Sequence, residues 1–196
     1  MALNSELLIT LQQLKGFGNK TILELSKVLT AKTIDDLCEE WRSLKGKKYT
    51  KVTEADLRGA NQTACRIINA SEFEGIGIIS YFEDIFPKIL KTCVDEDGKL
   101  NPPIVLYYRG DIKALNKPGI AVIGTREPTS MGTEAGIFFA AELAKRGLNI
   151  VSGLAVGCDT AGHEGALSVG GTTTAFLANS LAWNNIYPQA NVELAH

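Results

Sequence analysis

The sequence has few residues of the kinds that bind metals or form disulfide bonds. Its 196 residues include four cysteines and only two histidines, and no two cysteines form a C-x-x-C pair. A structural zinc site needs about four cysteine or histidine ligands in close spacing. We therefore expect no metal site, no cofactor and four reduced thiols, as in a cytoplasmic protein. The cysteines are Cys38, Cys65, Cys93 and Cys158.

The sequence also lacks the segments that direct a protein into or across a membrane. Its first residues do not form the basic and then apolar pattern of a secretory signal. No run of about 18 apolar residues is present to span a bilayer. We expect a cytoplasmic protein without a membrane partner.

An excess of positive charge is missing as well. The chain has 20 lysines and arginines against 22 acidic residues, a formal net charge of −2. This balance excludes a histone-like protein that is basic over its whole surface. A local basic groove stays compatible with it, because the field that a ligand meets is local. The length allows one ordinary domain and a smaller one.

Residues 1–70 have the apolar periodicity of short helices. Apolar residues from Leu7 to Leu14 share one helical face, and Gly16 and Gly18 then interrupt the pattern. We predict a small helical domain over residues 1–70. Its further helices are predicted at residues 22–29, 34–44 and 54–70.

Residues 71–196 have short apolar runs bounded by turn residues. Two predicted strands come first, and strands then alternate with helices, which is typical of parallel strands with helical crossovers. We predict an α/β domain with a mainly parallel sheet over residues 71–196. The strands are predicted at 76–80, 104–108, 120–123, 149–152 and 172–177, and the helices at 134–146 and 159–168.

The residues after the strand at 120–123 are suited to binding phosphate. Ligands of parallel sheets bind beyond the carboxyl ends of strands, where helix N-termini point their amides. Gly124 lets the backbone come close to a ligand, and Thr125 and Ser130 offer hydroxyl groups. Arg126 supplies a permanently charged planar group that matches phosphate. This turn runs to Gly132.

A second glycine-rich turn follows the strand at 149–152. It contains Ser152, Gly153, Leu154, Ala155 and Gly157. If both strands belong to one parallel sheet, both turns lie on the same edge. Their backbone amides, together with Arg126, would then form an anion cradle.

Catalytic motifs are sparse in this sequence. It contains neither a dinucleotide-binding G-x-G-x-x-G, nor a P-loop, nor a G-x-S-x-G nucleophile elbow. Asp159 stands one helical turn before His163, and Asp159 or Thr160 is placed to cap the helix. We expect these residues to be structural and the protein not to be an enzyme.

Five segments follow one another in the order of a known family, at residues 86–90, 102–110, 120–132, 150–163 and 185–188. Through them the sequence resembles the DNA processing protein A (DprA/Smf) family over roughly residues 70 to 190. The resemblance implies an extended Rossmann-like domain that binds single-stranded DNA. It further implies assistance in loading the RecA recombinase, natural transformation as the setting, and a homodimer. Gly124, Thr125 and Arg126 would contact DNA phosphates, and Ser152 and Gly153 would line the same pocket.

The sequence departs from the family pattern near its end. Thr172 stands where the family often has a lysine, and Asn179 and Ser180 replace glycines of the following turn. A missing cation predicts weaker DNA binding or a different ligand, and the alternative is a sensor of small nucleotides. Because the family continues beyond His196, we expect the Rossmann-like domain to be incomplete at its C-terminus.

Residues 14–18 resemble the glycine hairpin of helix-hairpin-helix or SAM-like modules, which several family members carry before the Rossmann-like domain. In hairpins that bind DNA, the glycine loop presents backbone amides to phosphate. Lys15 and Lys20 flank the loop here. A DNA contact and a plain turn between two helices both remain open at this point.

Overall fold

The computed structural model describes residues 3–196. Contacts between residues divide the chain into two compact units, and the division falls between Arg109 and Gly110. The first unit contains four helices and one pair of strands, and the second contains a parallel sheet with its helices.

Three helices of the first unit begin where a short polar side chain caps them, namely Asn4, Thr33 and Thr53. Thr33 and Thr53 each accept a hydrogen bond from the amide of an aspartate three residues later, and that aspartate side chain bonds back to the threonine amide. Such reciprocal capping satisfies backbone donors that a helix end leaves unpaired. The four helices are α1 (Ser5–Gln12), α2 (Asn19–Leu25), α3 (Ile34–Trp41) and α4 (Glu54–Phe73).

Two antiparallel strands complete the first unit, β1 (Gly77–Ser80) and β2 (Val105–Tyr108). Ile104 and Val105 are buried in the same apolar core as the leucines of α1. The compact unit therefore extends to Arg109, whereas the sequence placed a domain boundary at 70/71. The difference arises because strand residues beyond position 70 bury their apolar side chains against the helices.

The second unit is built from alternating strands and helices. β3 pairs with β4 and β4 with β5, all in parallel, so the strand order is β3-β4-β5. This confirms the predicted α/β class with a parallel sheet. The elements are β3 (Gly119–Ala121), α5 (Ser130–Lys145), β4 (Asn149–Ser152), α6 (Cys158–Ser168), β5 (Thr173–Ala175) and α7 (Val192–Ala195).

The core of the second unit lies between the central strand and its two long helices. Ile150 of β4 is fully buried with Ala140 of α5 and Ala166 of α6. Small side chains at these positions allow close packing of the two helices. The edge strand β3 is different, because all three of its residues are exposed.

No helix within residues 3–196 is both long enough and apolar enough to cross a bilayer. The four cysteines are free thiols, with Cys38 buried and the other three half-buried.

Candidate functional site

The parallel sheet brings two predicted turns to one edge. β3 and β4 run in the same direction, so the segments that follow them emerge at the carboxyl edge together. We call residues 122–129 the first turn and residues 153–157 the second turn. Their location at a common edge confirms the arrangement expected from the order of strands and helices.

The two turns touch each other directly. The Cys158 amide, at the start of α6, donates a hydrogen bond to the Thr125 carbonyl oxygen at 3.1 Å. A methyl group added at Gly124 would lie 2.6 Å from Cys158 Sγ. One added at Gly157 would lie 2.7 Å from the Arg126 carbonyl oxygen. The structure thus explains Gly124 by contact between the turns, where the sequence suggested close approach of a ligand.

Arg126 projects from the first turn without a protein partner. Arg126 is exposed, and its guanidinium forms no hydrogen bond or ion pair with any residue that the structure describes. The neighbouring Thr125 Oγ1 accepts a hydrogen bond from the Glu127 amide at 3.1 Å, which tightens the turn. Arg126 is therefore a cation held on a short, internally bonded loop and open to an external anion.

The start of α5, which follows this loop in the sequence, contributes further hydrogen-bond donors. Thr129 caps the helix, because its Oγ1 accepts a hydrogen bond from the Gly132 amide at 3.1 Å. Ser130 Oγ instead donates to Glu134 Oε1 at 3.3 Å. The Ser130 and Met131 amides have no acceptor among residues 3–196. Unpaired amides at the start of a long helix favour anions.

The second turn differs from the predicted anion cradle. Asp159 Oδ2 accepts hydrogen bonds from the Gly153 amide at 3.1 Å and from the Ala155 amide at 3.2 Å. Asp159 is buried. These amides therefore already bind a carboxylate of the chain itself, which corrects the expectation that they face a ligand. Neither Asp159 nor Thr160 is the N-cap, a position taken by Gly157 at φ +88°.

Two more predicted site residues of the second turn point inward. Ser152 is buried, and its Oγ donates to the Val122 carbonyl oxygen at 2.6 Å, linking β4 to the first turn. Leu154 is buried as well, although its φ of +65° is rare for a residue with a side chain. Neither side chain is presented to an external ligand.

Asn191 holds the second turn in place, and nothing in the sequence indicates this role. Its Nδ2 donates to the carbonyl oxygens of Leu154 and Ala155 at 2.9 and 3.2 Å. It also contacts Thr160 Oγ1 at 2.8 Å. Asn191 lies far along the chain from the turn and in no recognisable motif, so only the fold reveals the contact.

His163 is a structural residue of α6. Its Nδ1 lies 2.6 Å from Thr173 Oγ1, and that hydroxyl donates its hydrogen to the Ile150 carbonyl oxygen. Nδ1 must therefore carry the proton, which leaves Nε2 buried without a hydrogen-bond partner among residues 3–196. Burial lowers the pKa of His163, and the charge of Asp159 opposes this shift. The structural role expected for this histidine is consistent with these contacts.

Phe176 stands at the same edge of the sheet, directly after β5. Its amide donates to the Ser152 carbonyl oxygen at 2.9 Å, and 46% of the residue is exposed. Lys117 Nζ donates to Thr172 Oγ1 at 2.7 Å. Both residues precede their strands, so Lys117 lies at the amino edge beside Thr172, the position of the missing cation, and away from Arg126 at the carboxyl edge.

Comparisons with known proteins agree with this architecture. Residues 77–196 match the family model described as DNA recombination-mediator protein A. The chain is 34% identical over 131 residues to DNA processing protein DprA of Bacillus subtilis (strain 168), covering 66% of this chain and 41% of the relative. It is 40% identical over 112 residues to protein Smf of Escherichia coli (strain K12), covering 57% of this chain and 28% of the relative.

A solved structure has the same fold over nearly the whole chain. The crystal structure of DNA processing protein A from Streptococcus pneumoniae superposes with a TM-score of 0.70 and 26% sequence identity. The match covers 99% of this chain and 64% of the other. The chain thus spans less than half the length of the two relatives named above, and about two thirds of the solved one.

Proposed function

This chain belongs to the DNA recombination-mediator protein A family, and on that basis we propose that it binds single-stranded DNA at the carboxyl edge of its parallel sheet. In this proposal Arg126 contacts a phosphate of the DNA backbone. The first turn and the start of α5 supply backbone donors, and the site performs no chemical step.

The observation that carries the proposal is the unpartnered Arg126 on the first turn. A guanidinium matches the geometry of phosphate and keeps its charge at every physiological pH. The unpaired amides of Ser130 and Met131 add the electrostatic preference of a helix N-terminus. Since Asp159 occupies the Gly153 and Ala155 amides of the second turn, we assign phosphate binding to the first turn and the start of α5.

Phe176 supports a single strand as the ligand. Proteins that bind single strands combine a basic surface with aromatic side chains on which unpaired bases stack. Phe176 is an exposed aromatic residue at the same sheet edge as Arg126. In duplex DNA the base faces are covered by their neighbours, so such a ring has little to contact.

The biological assignments extend this proposal. We place the protein in DNA processing during natural transformation, protecting single strands and assisting RecA loading in the cytoplasm as a homodimer. Family membership is the support for these roles.

Binding to a fluorescent oligonucleotide tests the central claim. Arg126→Ala should weaken binding about tenfold or more, because a charge-assisted hydrogen bond to phosphate is lost. The logarithm of the binding constant falls as the logarithm of the salt concentration rises, and the steepness of this dependence should decrease by about 0.7. Arg146→Ala is the matched control, since this exposed arginine pairs with Glu142 on α5. Equal binding by Arg126→Ala and wild type would disprove the phosphate assignment.

A panel of nucleotides separates this function from the alternative of a small-nucleotide sensor. Thermal denaturation is followed with each mononucleotide and with a single-stranded oligonucleotide. We expect stabilisation by the oligonucleotide. Stabilisation by a mononucleotide alone, with no oligonucleotide binding, would establish the sensor in place of the DNA-binding protein.

A further inference from the structure

A groove in the first unit is lined by four lysines. It has a volume of about 910 Å³ and lies among the turn after α1, the loop between α3 and α4, and one face of α4. Lys15 comes from the turn, and the other three come from the loop. We call it the lysine groove, with Lys15, Lys47, Lys48 and Lys51 as its charged lining.

Positive charge in the lysine groove is almost uncompensated. Lys15, Lys47 and Lys51 form no ion pair with any residue in the described part of the chain. The acidic residue of the lining is Asp56, whose carboxylate accepts hydrogen bonds from the Thr53 amide and hydroxyl at 2.8 and 2.6 Å. In a chain of net charge −2, such a local excess of lysines favours binding of a polyanion.

The loop that carries three of these lysines is anchored by aromatic packing. Trp41 Nε1 donates to the Tyr49 carbonyl oxygen at 3.1 Å, and the two rings meet edge to face at 6.0 Å. Phe17 packs against both rings. Lys48 Nζ lies 4.7 Å from the centre of the Phe17 ring and donates to Thr21 Oγ1 at 2.9 Å. The backbone that presents the lysines is therefore held in position.

The floor of the lysine groove is a face of α4 that lacks large side chains. Ala55, Gly59 and Thr63 follow one another at intervals of four residues, so they lie in one row along the helix. Nothing lies within 4 Å of where a side chain at Gly59 would begin. The row is about 12 Å long.

From these observations we propose that the lysine groove is a second DNA-binding surface, which holds the sugar-phosphate backbone of single-stranded DNA. The choice of DNA as the polyanion rests on the proposed function of the chain. Lysines act as mobile point charges and suit contacts to a backbone that do not depend on base sequence. In this proposal the glycine hairpin at residues 14–18 contacts DNA through Lys15 and its neighbours in space, which is one of the two alternatives that the sequence left open.

A triple variant with a matched control tests the groove. Lys15→Gln, Lys47→Gln and Lys51→Gln together remove three charges whose amines bond to no described residue. Lys27→Gln, Lys32→Gln and Lys88→Gln remove three exposed charges of the same unit outside the groove. Binding to a fluorescent single-stranded oligonucleotide is measured over a range of salt concentrations, after unfolding curves show that both variants fold.

The groove variant should bind at least tenfold more weakly than wild type. Its slope of log K against log salt should fall by about 2, because each lost phosphate contact contributes about 0.7. The control variant should lose less than about threefold by the same long-range electrostatics. Equal losses in both triple variants would overturn the lysine groove as a site.

Comparison with Arg126→Ala separates the two proposals. If the groove variant loses affinity and Arg126→Ala does not, the groove stands and the sheet edge fails. The opposite result removes the groove and keeps the sheet edge. Competition with poly-glutamate of the same charge as the oligonucleotide checks the ligand class. Unlabelled oligonucleotide should displace the fluorescent one at a lower concentration than poly-glutamate does. Displacement by both at the same concentration would assign an acidic polypeptide to the groove and overturn the proposal that it binds DNA.

Discussion

The Thr125 carbonyl oxygen accepts a hydrogen bond from the Cys158 amide at 3.1 Å, and this bond joins the first turn to the start of α6. The loop that carries Arg126 is therefore braced by the element that follows the neighbouring strand. Gly157 makes this approach possible, since the Thr125 and Arg126 backbone fills the space where a side chain would be. The geometry of the proposed phosphate site therefore depends on a residue outside the first turn.

Replacing Gly157 with alanine should destabilise the second unit by about 3 kcal/mol or more. The new methyl group would meet the backbone of the first turn in addition to the strain of a positive φ. Gly147→Ala is the matched control, because Gly147 has φ +82° with no atom within 4 Å of the added methyl group. It should cost about 1 kcal/mol. Urea unfolding measures both, and equal costs would contradict the packing of the two turns.

Replacing Asp159 with alanine should cost about 1 to 3 kcal/mol, because the Gly153 and Ala155 amides lose their acceptor. Asp159→Asn keeps an oxygen at this position and should cost less. The alanine variant should also gain more thermal stability from added inorganic phosphate than wild type does, since an anion now fits the vacated amides. A phosphate response that is the same in both proteins would show that these amides do not select anions.

Stability of the second unit should fall as the pH drops below about 6.5. Burial lowers the pKa of His163 in the folded state from its ordinary value of 6.5, so the unfolded chain takes up the proton first. The stabilising contribution is complete above that value and is lost as the pH falls through the lowered pKa. His163→Gln should show a flatter dependence in urea unfolding between about pH 5 and pH 7. Parallel curves for the two proteins would exclude His163 as the titrating group.

Replacing Phe176 with leucine should weaken binding to single-stranded DNA by roughly fivefold to a hundredfold, as expected for loss of one base stacked on an aromatic ring. Phe73→Leu is a suitable control, because Phe73 is 91% exposed on α4 and lies outside both proposed sites. Fluorescence anisotropy with an oligonucleotide reports the affinities. If the two variants bind alike, Phe176 is not a stacking surface.

Local signals in the sequence were sufficient for the order and type of the elements from α1 to β5, whereas the short helix α7 was not predicted. The predicted strand at 149–152 coincides with β4 (Asn149–Ser152), since a run of apolar residues ends there at a glycine. The helix predicted from residue 134 begins earlier, at Ser130, because Thr129 caps it. The glycines and alanines that follow carry too weak an apolar pattern to mark that start.

The candidate site was less accessible to sequence reasoning than the fold. That Gly124 and Gly157 lie at one edge follows from parallel strands, and the structure agrees. The strand order does not, however, reveal that the anion bound by the second turn is a carboxylate of the chain itself. Asp159 lies near that turn in the sequence, but whether its carboxylate points outward or accepts a hydrogen bond from the Gly153 amide depends on how the turn folds back onto α6. The role of Asn191 likewise depends on tertiary contacts alone.

The exposed edge strand β3 determines how a polymer can reach Arg126. Within residues 3–196 this strand pairs only with β4, and its three residues are open to solvent up to the start of the first turn. A long ligand can therefore settle on the loop sideways, at any point along its length, without a free end being passed through an enclosure. Covalently closed circles of single-stranded DNA should accordingly bind as well as linear molecules of the same sequence.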